Sequence, residues 1–213
     1  MESHTELQSS SLSSQSDFPS DPSKVPEKKE GFISEIIRFS LIALLIVLPI
    51  RLFIAQPFIV SGASMETTFS TGQYIIVDQL TYHFEEPKRG DVIIFRYPKD
   101  PSKFFIKRVI GLPGDTVNIE GRTVHISNTQ HPDGITLSES YILNMKPSAT
   151  LTETLGTDEY FVMGDNRDAS SDSRSWGVLQ RDKIVGRAFL RLFPLTEVDV
   201  LPGMHSIDLE MKL

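Results

Sequence analysis

Three short clusters in this sequence hold residues that could do chemistry. The first is the turn Ser61–Thr68, in which Gly62 and Ala63 stand directly before Ser64. A nucleophilic serine needs an exposed hydroxyl and close approach of a substrate backbone, and small residues beside it permit both. The same composition is also typical of a flexible linker, so this cluster indicates either a nucleophile or a plain connection.

The second cluster surrounds Lys107, in the apolar run Phe105–Val109. Side chains alternate between the two faces of a strand, so Lys107 is expected to share one face with Phe105 and Val109. A lysine between apolar neighbours loses hydration, which lowers its pKa towards the range where it can act as a base. An edge-strand lysine that reaches water would show the same pattern, and the strand alone favours that simpler interpretation.

The third cluster is the segment Gly164–Gly177, which contains three aspartates, two arginines and the only tryptophan of the chain. An aspartate and an arginine two residues apart, such as Asp172 and Arg174, can pair through two parallel hydrogen bonds and brace a loop. A solvated surface turn is the plainer interpretation. However, a surface loop seldom concentrates so many groups that can satisfy one another.

Composition narrows the classes of function. With 213 residues, of which 39% are hydrophobic, the chain can form one good-sized domain with a short appendage. The absence of cysteine excludes disulfides, thiol nucleophiles and cysteine-based zinc sites. The five histidines show no metal-ligand spacing, so no metal and no other cofactor is expected. A net charge of −7 without a basic stripe argues against a nucleic-acid partner.

The first part of the chain predicts a tail and a membrane anchor. Residues 1–35 are mostly polar and rich in serine, so they are expected to form a disordered cytoplasmic tail. Residues 36–55 are apolar and long enough to span a bilayer, with Arg38 and Arg51 near the ends. A buried or interfacial helix is the alternative. Basic residues before the span favour a cytoplasmic N-terminus.

Residues 56–213 predict a β-rich domain. Segments rich in β-branched and aromatic residues alternate with turn formers, without long helical patterns between them. This arrangement is typical of a mainly β fold with an antiparallel sheet or a barrel. Residues 127–158 are more polar and predict an extended ribbon or loop. The predicted strands are Gln73–Val77, Gly90–Tyr97, Phe104–Ile110, Thr116–Ile119, Thr123–Ile126, Glu159–Met163 and Ile184–Leu190.

Taken together, the clusters form an ordered set of motifs that closely resembles type I signal peptidases over about residues 36–194. The motifs are Ser64-Met65, Arg89–Asp91, Ile106–Asp115 and Gly164–Arg174. The resemblance implies an N-terminal anchor and a β-rich domain with a serine–lysine dyad. It assigns Ser64 as nucleophile and Lys107 as general base. It further implies that Ser170 orients the lysine and that Asp172 and Arg174 form an ion pair.

The resemblance also implies a function and a location. The protein is expected to be an endopeptidase of the cytoplasmic membrane, with its catalytic domain on the outer face. Its partners would be membrane lipid and preprotein signal peptides, which it would cut after an Ala-x-Ala site. Apolar residues near Ser64 are expected to form the substrate pocket, namely Phe58, Val60, Met65, Phe105 and Ile106.

Two positions depart from the family pattern. Thr67 stands where the family has proline, and Ala169 stands where it has asparagine. Loss of the proline ring loosens the backbone just after Ser64, although it removes no reacting group. These departures leave one alternative open, a catalytically inactive membrane-anchored relative that acts as a binding or assembly module.

Overall fold

The computed structural model describes residues 31–49, 51, 55–142, 145–204 and 209–210. Within this set the first element is helix α1, Phe32–Pro49, which has 18 residues, a mean hydropathy of 2.1 and no buried residue. By length and composition this helix could cross a membrane. Disorder was predicted for the tail. Up to residue 30, the tail lies outside the described residues.

The helix does not share the bounds of the predicted anchor at residues 36–55. It begins earlier, at Phe32, and ends at Pro49. A proline in a helical pattern usually ends or kinks the helix, because its ring blocks a backbone hydrogen bond. At the far end of the predicted span, Ala55 already belongs to a strand. Apolar composition therefore did not mark the residue at which the helix begins, and residues 50 and 52–54 lie outside the described set.

The rest of the described chain is mainly β, as predicted. All seven predicted strands are present, and the structure adds several short ones together with a four-residue helix, α2, at Ser173–Trp176. The strands are β1 (Ala55–Ile59), β2 (Tyr74–Asp78), β3 (Val92–Tyr97), β4 (Asp100–Gly111), β5 (Thr116–Gly121), β6 (Thr123–Ser127), β7 (Ile135–Leu137), β8 (Ser148–Thr154), β9 (Glu159–Met163), β10 (Leu179–Gln180), β11 (Ile184–Phe193), β12 (Asp199–Val200) and β13 (Leu209–Glu210).

The strands form two antiparallel sheets. The larger has the order β1-β2-β11-β3-β4-β9-β10, with β12 paired to β11, and the smaller has the order β13-β7-β6-β5-β8. Strands β7 and β8 lie in the region 127–158 that was predicted as a ribbon or loop. That region is therefore partly regular sheet, because pairing of β8 with β5 supplies a structure that its polar sequence does not signal.

Strand β4 is the element that positions the site. It is buried from Lys107 to Gly111 and pairs with β3 on one side and β9 on the other. The predicted alternation of faces is confirmed. Phe105 and Val109 pack in one core cluster, which also contains Ile93. The backbone of Ile93 is paired with that of Lys107. Ile106 packs in a different cluster.

Candidate active site

Ser64 and Lys107 lie side by side although 43 residues separate them in the chain. Ser64 is partly exposed in the turn that follows β1, and Lys107 projects from β4. Lys107 Nζ donates a hydrogen bond to Ser64 Oγ at 2.7 Å and another to the carbonyl oxygen of Ile106 at 2.8 Å. The geometry therefore brings together the serine and the lysine that the motifs singled out.

The environment of Lys107 favours its neutral form. The residue is only 3% exposed, and Nζ lies 5.3 Å from the centre of the Phe105 ring. Burial lowers the pKa of Lys107 to about 8, against the opposing influence of the Asp172 and Asp165 carboxylates. The simpler interpretation of an edge-strand lysine that reaches water is therefore wrong.

The turn that carries Ser64 packs closely against the backbone of Gly164. The sequence did not reveal this role of Gly164. The carbonyl oxygen of Ser64 accepts a hydrogen bond from the backbone N–H of Asn166 at 3.1 Å. A Cβ atom on Gly164 would lie 2.3 Å from that oxygen and 2.3 Å from Ser170 Oγ. Only glycine permits this close approach. Its position at the start of the third cluster was the signal that could have suggested it.

The ion pair between Asp172 and Arg174 is present, as the family resemblance implied. Arg174 Nε and Nη2 each donate to one carboxylate oxygen of Asp172 at 2.8 Å, and Nη2 also donates to the Arg167 carbonyl at 2.7 Å. Asp172 further accepts the N–H of Gly164 at 3.1 Å. Burial raises the pKa of Asp172, but the hydrogen bond and charge of Arg174 outweigh it, so the pKa is lowered. The carboxylate stays ionised and braces the loop.

Ser170 adjoins the site, but the hydrogen bond predicted between it and Lys107 is not formed in this structure. Its Oγ is buried beside the Asp172 carboxylate and helps to lower the pKa of that group. The amine of Lys107 instead donates to Ser64 Oγ and to the Ile106 carbonyl. The orienting role of Ser170 therefore stays a prediction.

The sequence clusters did not reveal a buried ion pair that lies close to Ser64 and Lys107. Arg108 and Asp165 have side chains that are 0% and 1% exposed, and they pair through two hydrogen bonds of 2.8 and 2.5 Å. Asp165 also accepts the hydroxyl of Thr68 at 2.6 Å. The alternation of β4 already put Arg108 on the face opposite Lys107. A buried arginine needs a carboxylate partner, and the third cluster held three candidates.

We expect this pair to dominate the stability of the site. Asp165→Asn keeps the shape of the side chain but leaves the buried guanidinium of Arg108 without its counter-charge. The expected loss is about 3–5 kcal/mol in the free energy of unfolding, measured by urea denaturation. Asp182→Asn is the matched control, because Asp182 is 68% exposed in its pair with Lys183 and should cost at most about 1 kcal/mol. Equal losses in the two variants would contradict the assignment.

A cavity of about 500 Å³ lies beside Ser64 and Lys107. Four of the five predicted pocket residues line it, and the structure adds others that the sequence analysis did not name. Met65 was predicted to line the pocket, and this is wrong. Its side chain is 1% exposed and packs with Phe69 in the core. The lining includes Phe58, Val60, Phe105 and Ile106, together with Ala63, Ile75, Ile94 and Phe104.

The cavity and the contact between Ser64 and Lys107 are the chemical features of this site. Among the described residues, no group of three or more His, Asp or Glu side chains is placed to hold a metal ion. The N–H of Ser64 donates no hydrogen bond to any residue that the structure describes. The site therefore combines a serine hydroxyl, a buried amine whose pKa is lowered, and a backbone N–H that donates to no described residue. These are the parts required for acyl transfer from a peptide bond.

Comparison with known proteins identifies the class. A sequence model of the family described as signal peptidase, peptidase S26, matches residues 33–193. The chain belongs to this family, which confirms the prediction from the motifs and makes the protein a peptidase.

Two sequence relatives agree with this assignment. The probable signal peptidase I-1 of Synechocystis sp. is 39% identical over 171 residues, which cover 76% of this chain and 84% of the relative. Signal peptidase I of Leptolyngbya laminosa is 34% identical over 203 residues, covering 89% and 97% of the two chains. A crystal structure of a signal peptidase I from Enterococcus faecalis is 32% identical and covers 48% of this chain and 97% of its own, with a TM-score of 0.41.

Proposed function

We propose that this protein is a membrane-anchored endopeptidase that removes N-terminal signal peptides from exported preproteins. Ser64 is the nucleophile and Lys107 the general base. The observation that carries this proposal is the 2.7 Å contact between Ser64 Oγ and Lys107 Nζ, at a place where burial lowers the pKa of the lysine to about 8. Membership of the signal peptidase family supports the choice of substrate.

Acylation follows from this geometry. Neutral Lys107 accepts the hydroxyl proton of Ser64 while Oγ attacks the carbonyl carbon of the last signal-peptide residue. The backbone N–H of Ser64 stabilises the negative charge that develops on the carbonyl oxygen. The ammonium group of Lys107 then donates its proton to the amine of the departing mature protein. Lys107 is neutral again and Ser64 carries the signal peptide as an ester.

Deacylation uses the same base. Neutral Lys107 accepts a proton from a water molecule, which attacks the ester carbonyl. The Lys107 ammonium then donates that proton to Ser64 Oγ as the ester bond breaks, so the signal peptide leaves with a free carboxylate and both side chains return to their starting state. The carbonyl of Ile106, 2.8 Å from Nζ, fixes the direction of the amine throughout. Asp172 and Arg174 hold the loop that supports the Ser64 turn, and we assign the buried hydroxyl of Ser170 to orienting Lys107.

We infer that helix α1 anchors the protein in the cytoplasmic membrane, in contact with lipid, with the body on the outer face. The helix has 18 residues and a mean hydropathy of 2.1. Sharing one bilayer with a membrane-inserted signal peptide raises the effective concentration of substrate at the site.

This topology predicts the result of a protease-protection experiment. In a bacterial host, external protease should digest residues 56–213 in spheroplasts and leave them intact in inside-out vesicles, because basic residues retain the N-terminus in the cytoplasm. Digestion is followed with an antibody against the body of the protein, and a cytoplasmic protein serves as the control for sealed membranes. The opposite pattern of digestion would reverse the proposed orientation.

The cavity predicts selectivity for small residues in an Ala-x-Ala pattern. It must hold an extended signal peptide against the apolar wall formed by Phe58, Val60 and Ile106. Serine or glycine at the last signal-peptide position should be tolerated, since small changes in an apolar pocket alter discrimination by only about 1–3 kcal/mol. Phenylalanine there should lower kcat/KM by on the order of a hundredfold, because it displaces the scissile carbonyl from Ser64.

A matched peptide pair measures this effect. One peptide carries phenylalanine at the last signal-peptide position and the other carries it at the middle position of the Ala-x-Ala site. The second peptide should be cut at close to the parent rate. Equal cleavage of the first peptide and the parent would exclude the proposed pocket.

The function itself is tested with the purified full chain in detergent and a synthetic preprotein. We expect cleavage at one bond, after the Ala-x-Ala site, as read by mass spectrometry of both products. Binding of the preprotein without cleavage would favour the alternative, an inactive relative that acts as a binding module.

A further inference from the structure

The turn that carries Ser64 is held from outside at Thr68, in addition to the hydrogen bond between the Ser64 carbonyl and Asn166. The backbone carbonyl of Thr68 accepts a hydrogen bond from Arg191 Nη1 at 2.9 Å, and its hydroxyl donates to Asp165 at 2.6 Å. The next residue, Phe69, donates its N–H to the Met65 carbonyl at 2.8 Å, which ties Thr68 to the residue that follows Ser64. A displacement of Thr68 would therefore be passed on to the nucleophile.

The segment Pro194–Met204 supplies the other side of this contact. It follows the end of the family match at residue 193 and folds back along β11, where the N–H of Leu201 donates to the Phe189 carbonyl at 2.7 Å. Arg191 Nε donates to the carbonyl of Glu197 in this segment at 2.8 Å. The side chain of Arg191 thus joins Thr68 to the C-terminal segment, and it is only 14% exposed.

Gly203 makes the second contact between this segment and the turn. It adopts a φ of +73°, and a Cβ atom there would lie 2.2 Å from the methyl carbon of Thr68. Its carbonyl accepts a hydrogen bond from Arg108 Nη1, the arginine paired with Asp165. Gly203 therefore contacts Thr68 at a distance that a residue with a Cβ atom could not reach.

The residue before Thr68 indicates why these contacts matter. Thr67 stands where the family pattern has proline, and without the ring the backbone between Ser64 and Thr68 has more conformational freedom. A hold on Thr68 from another part of the fold restricts that freedom. Catalysis depends on it because reacting atoms must be held within a narrow range of distance and angle.

We propose that the C-terminal segment Pro194–Met204 positions the nucleophile, with Arg191 and Gly203 as positioning residues that fix Thr68 and thereby hold Ser64 Oγ against Lys107 Nζ. The inference rests on the proposed role of Ser64. Neither residue touches the substrate in this account, so the loss of either should lower kcat rather than weaken binding.

The first test replaces Arg191. Arg191→Met keeps an apolar stem beside the Phe69 ring but removes the hydrogen bonds to Thr68 and Glu197. We expect kcat for a synthetic preprotein to fall about ten- to a hundredfold, with KM unchanged within about twofold. The apparent pKa of the pH–rate profile should not move, since Lys107 keeps its surroundings. Arg191→Lys retains one donor and should recover part of kcat, whereas Arg122→Met, at an exposed arginine in the β5–β6 turn, should have no effect.

The second test replaces Gly203, the other residue that contacts Thr68. Gly203→Ala places a methyl group against Thr68 and should reproduce the selective loss of kcat. Gly134→Ala is the matched control, because Gly134 has a similar φ of +79° and an added Cβ there meets only ordinary contacts, from 3.6 Å. Both substitutions strain the backbone alike, but only one reaches the nucleophile turn.

The outcomes separate this inference from the proposed function. Wild-type kcat in both Arg191→Met and Gly203→Ala overturns the positioning role, as does a fall in kcat that only matches a fall in the folded fraction measured by thermal unfolding. If Ser64→Ala is inactive while these two variants are fully active, only the inference fails. If Ser64→Ala itself cleaves the preprotein, the proposed function fails as well.

Discussion

Replacing Ser64 with alanine should abolish cleavage and leave the fold intact. The substitution removes one partly exposed oxygen, while the hydrogen bond between the Ser64 carbonyl and Asn166 belongs to the backbone and remains. Loss of the nucleophile in a serine peptidase lowers kcat by on the order of a million-fold, because the remaining groups can only bind the substrate and stabilise the oxyanion. The measurement is the rate of preprotein cleavage in detergent, with thermal unfolding as the test of folding.

The matched control is Ser70→Ala, a serine that is exposed in the loop after the same turn. It should cleave at the wild-type rate. If Ser64→Ala cleaves the preprotein at a rate close to that of Ser70→Ala, Ser64 is not the nucleophile. The chain would still belong to the family, but the proposed mechanism would be wrong.

The second large effect on cleavage is expected from a substitution at Lys107 that keeps the positive charge but removes the ability to act as a base. Arginine keeps a positive charge but stays protonated at any accessible pH, so Lys107→Arg cannot accept the hydroxyl proton of Ser64. Removal of a general base costs about 10²–10⁴ in rate, and we expect kcat to fall by that amount. Lys183→Arg, at an exposed ion pair with Asp182, should change nothing. An active Lys107→Arg variant would contradict the role of the lysine.

The pH dependence of the wild-type rate follows from the same group. Only neutral Lys107 can accept the proton, and burial lowers its pKa to about 8. The rate should therefore fall about tenfold per pH unit well below 8 and level off above it. A rate that stays constant from mildly acidic to alkaline pH would show that another group acts as base.

Much of the fold could be predicted from local sequence. Strands such as β9 are marked by β-branched and aromatic residues between turn formers, and β9 was placed without error. Strand β8, Ser148–Thr154, was not predicted, because it is short of large apolar residues and becomes a strand through its pairing with β5. Helix α1 begins at Phe32, before the predicted anchor, because hydropathy marks an apolar stretch but not the residue at which a helix begins.

The site could be predicted only in part, because its contacts are long-range. Ser64 and Lys107 were each ambiguous alone, and the ordered set of motifs was needed to pair them across 43 residues. Arg108 and Asp165, 57 residues apart, share no local pattern, so their pairing was not seen. Met65 was misassigned because it lies in a turn, where the alternation of faces that holds for strands gives no guidance.

The ionisation of Lys107 is the measurement that tests the central claim most directly. Lysine residues labelled with ¹³C at Cε can be titrated by NMR in the full chain in detergent, and the signal of Lys107 is identified by its absence from Lys107→Arg. The serine–lysine mechanism predicts that this signal titrates near pH 8, well below the reference value of about 10.4 for a lysine side chain in a model peptide. If the Lys107 signal titrates near that reference value, Lys107 is fully protonated at neutral pH, and the proposed serine–lysine mechanism is contradicted.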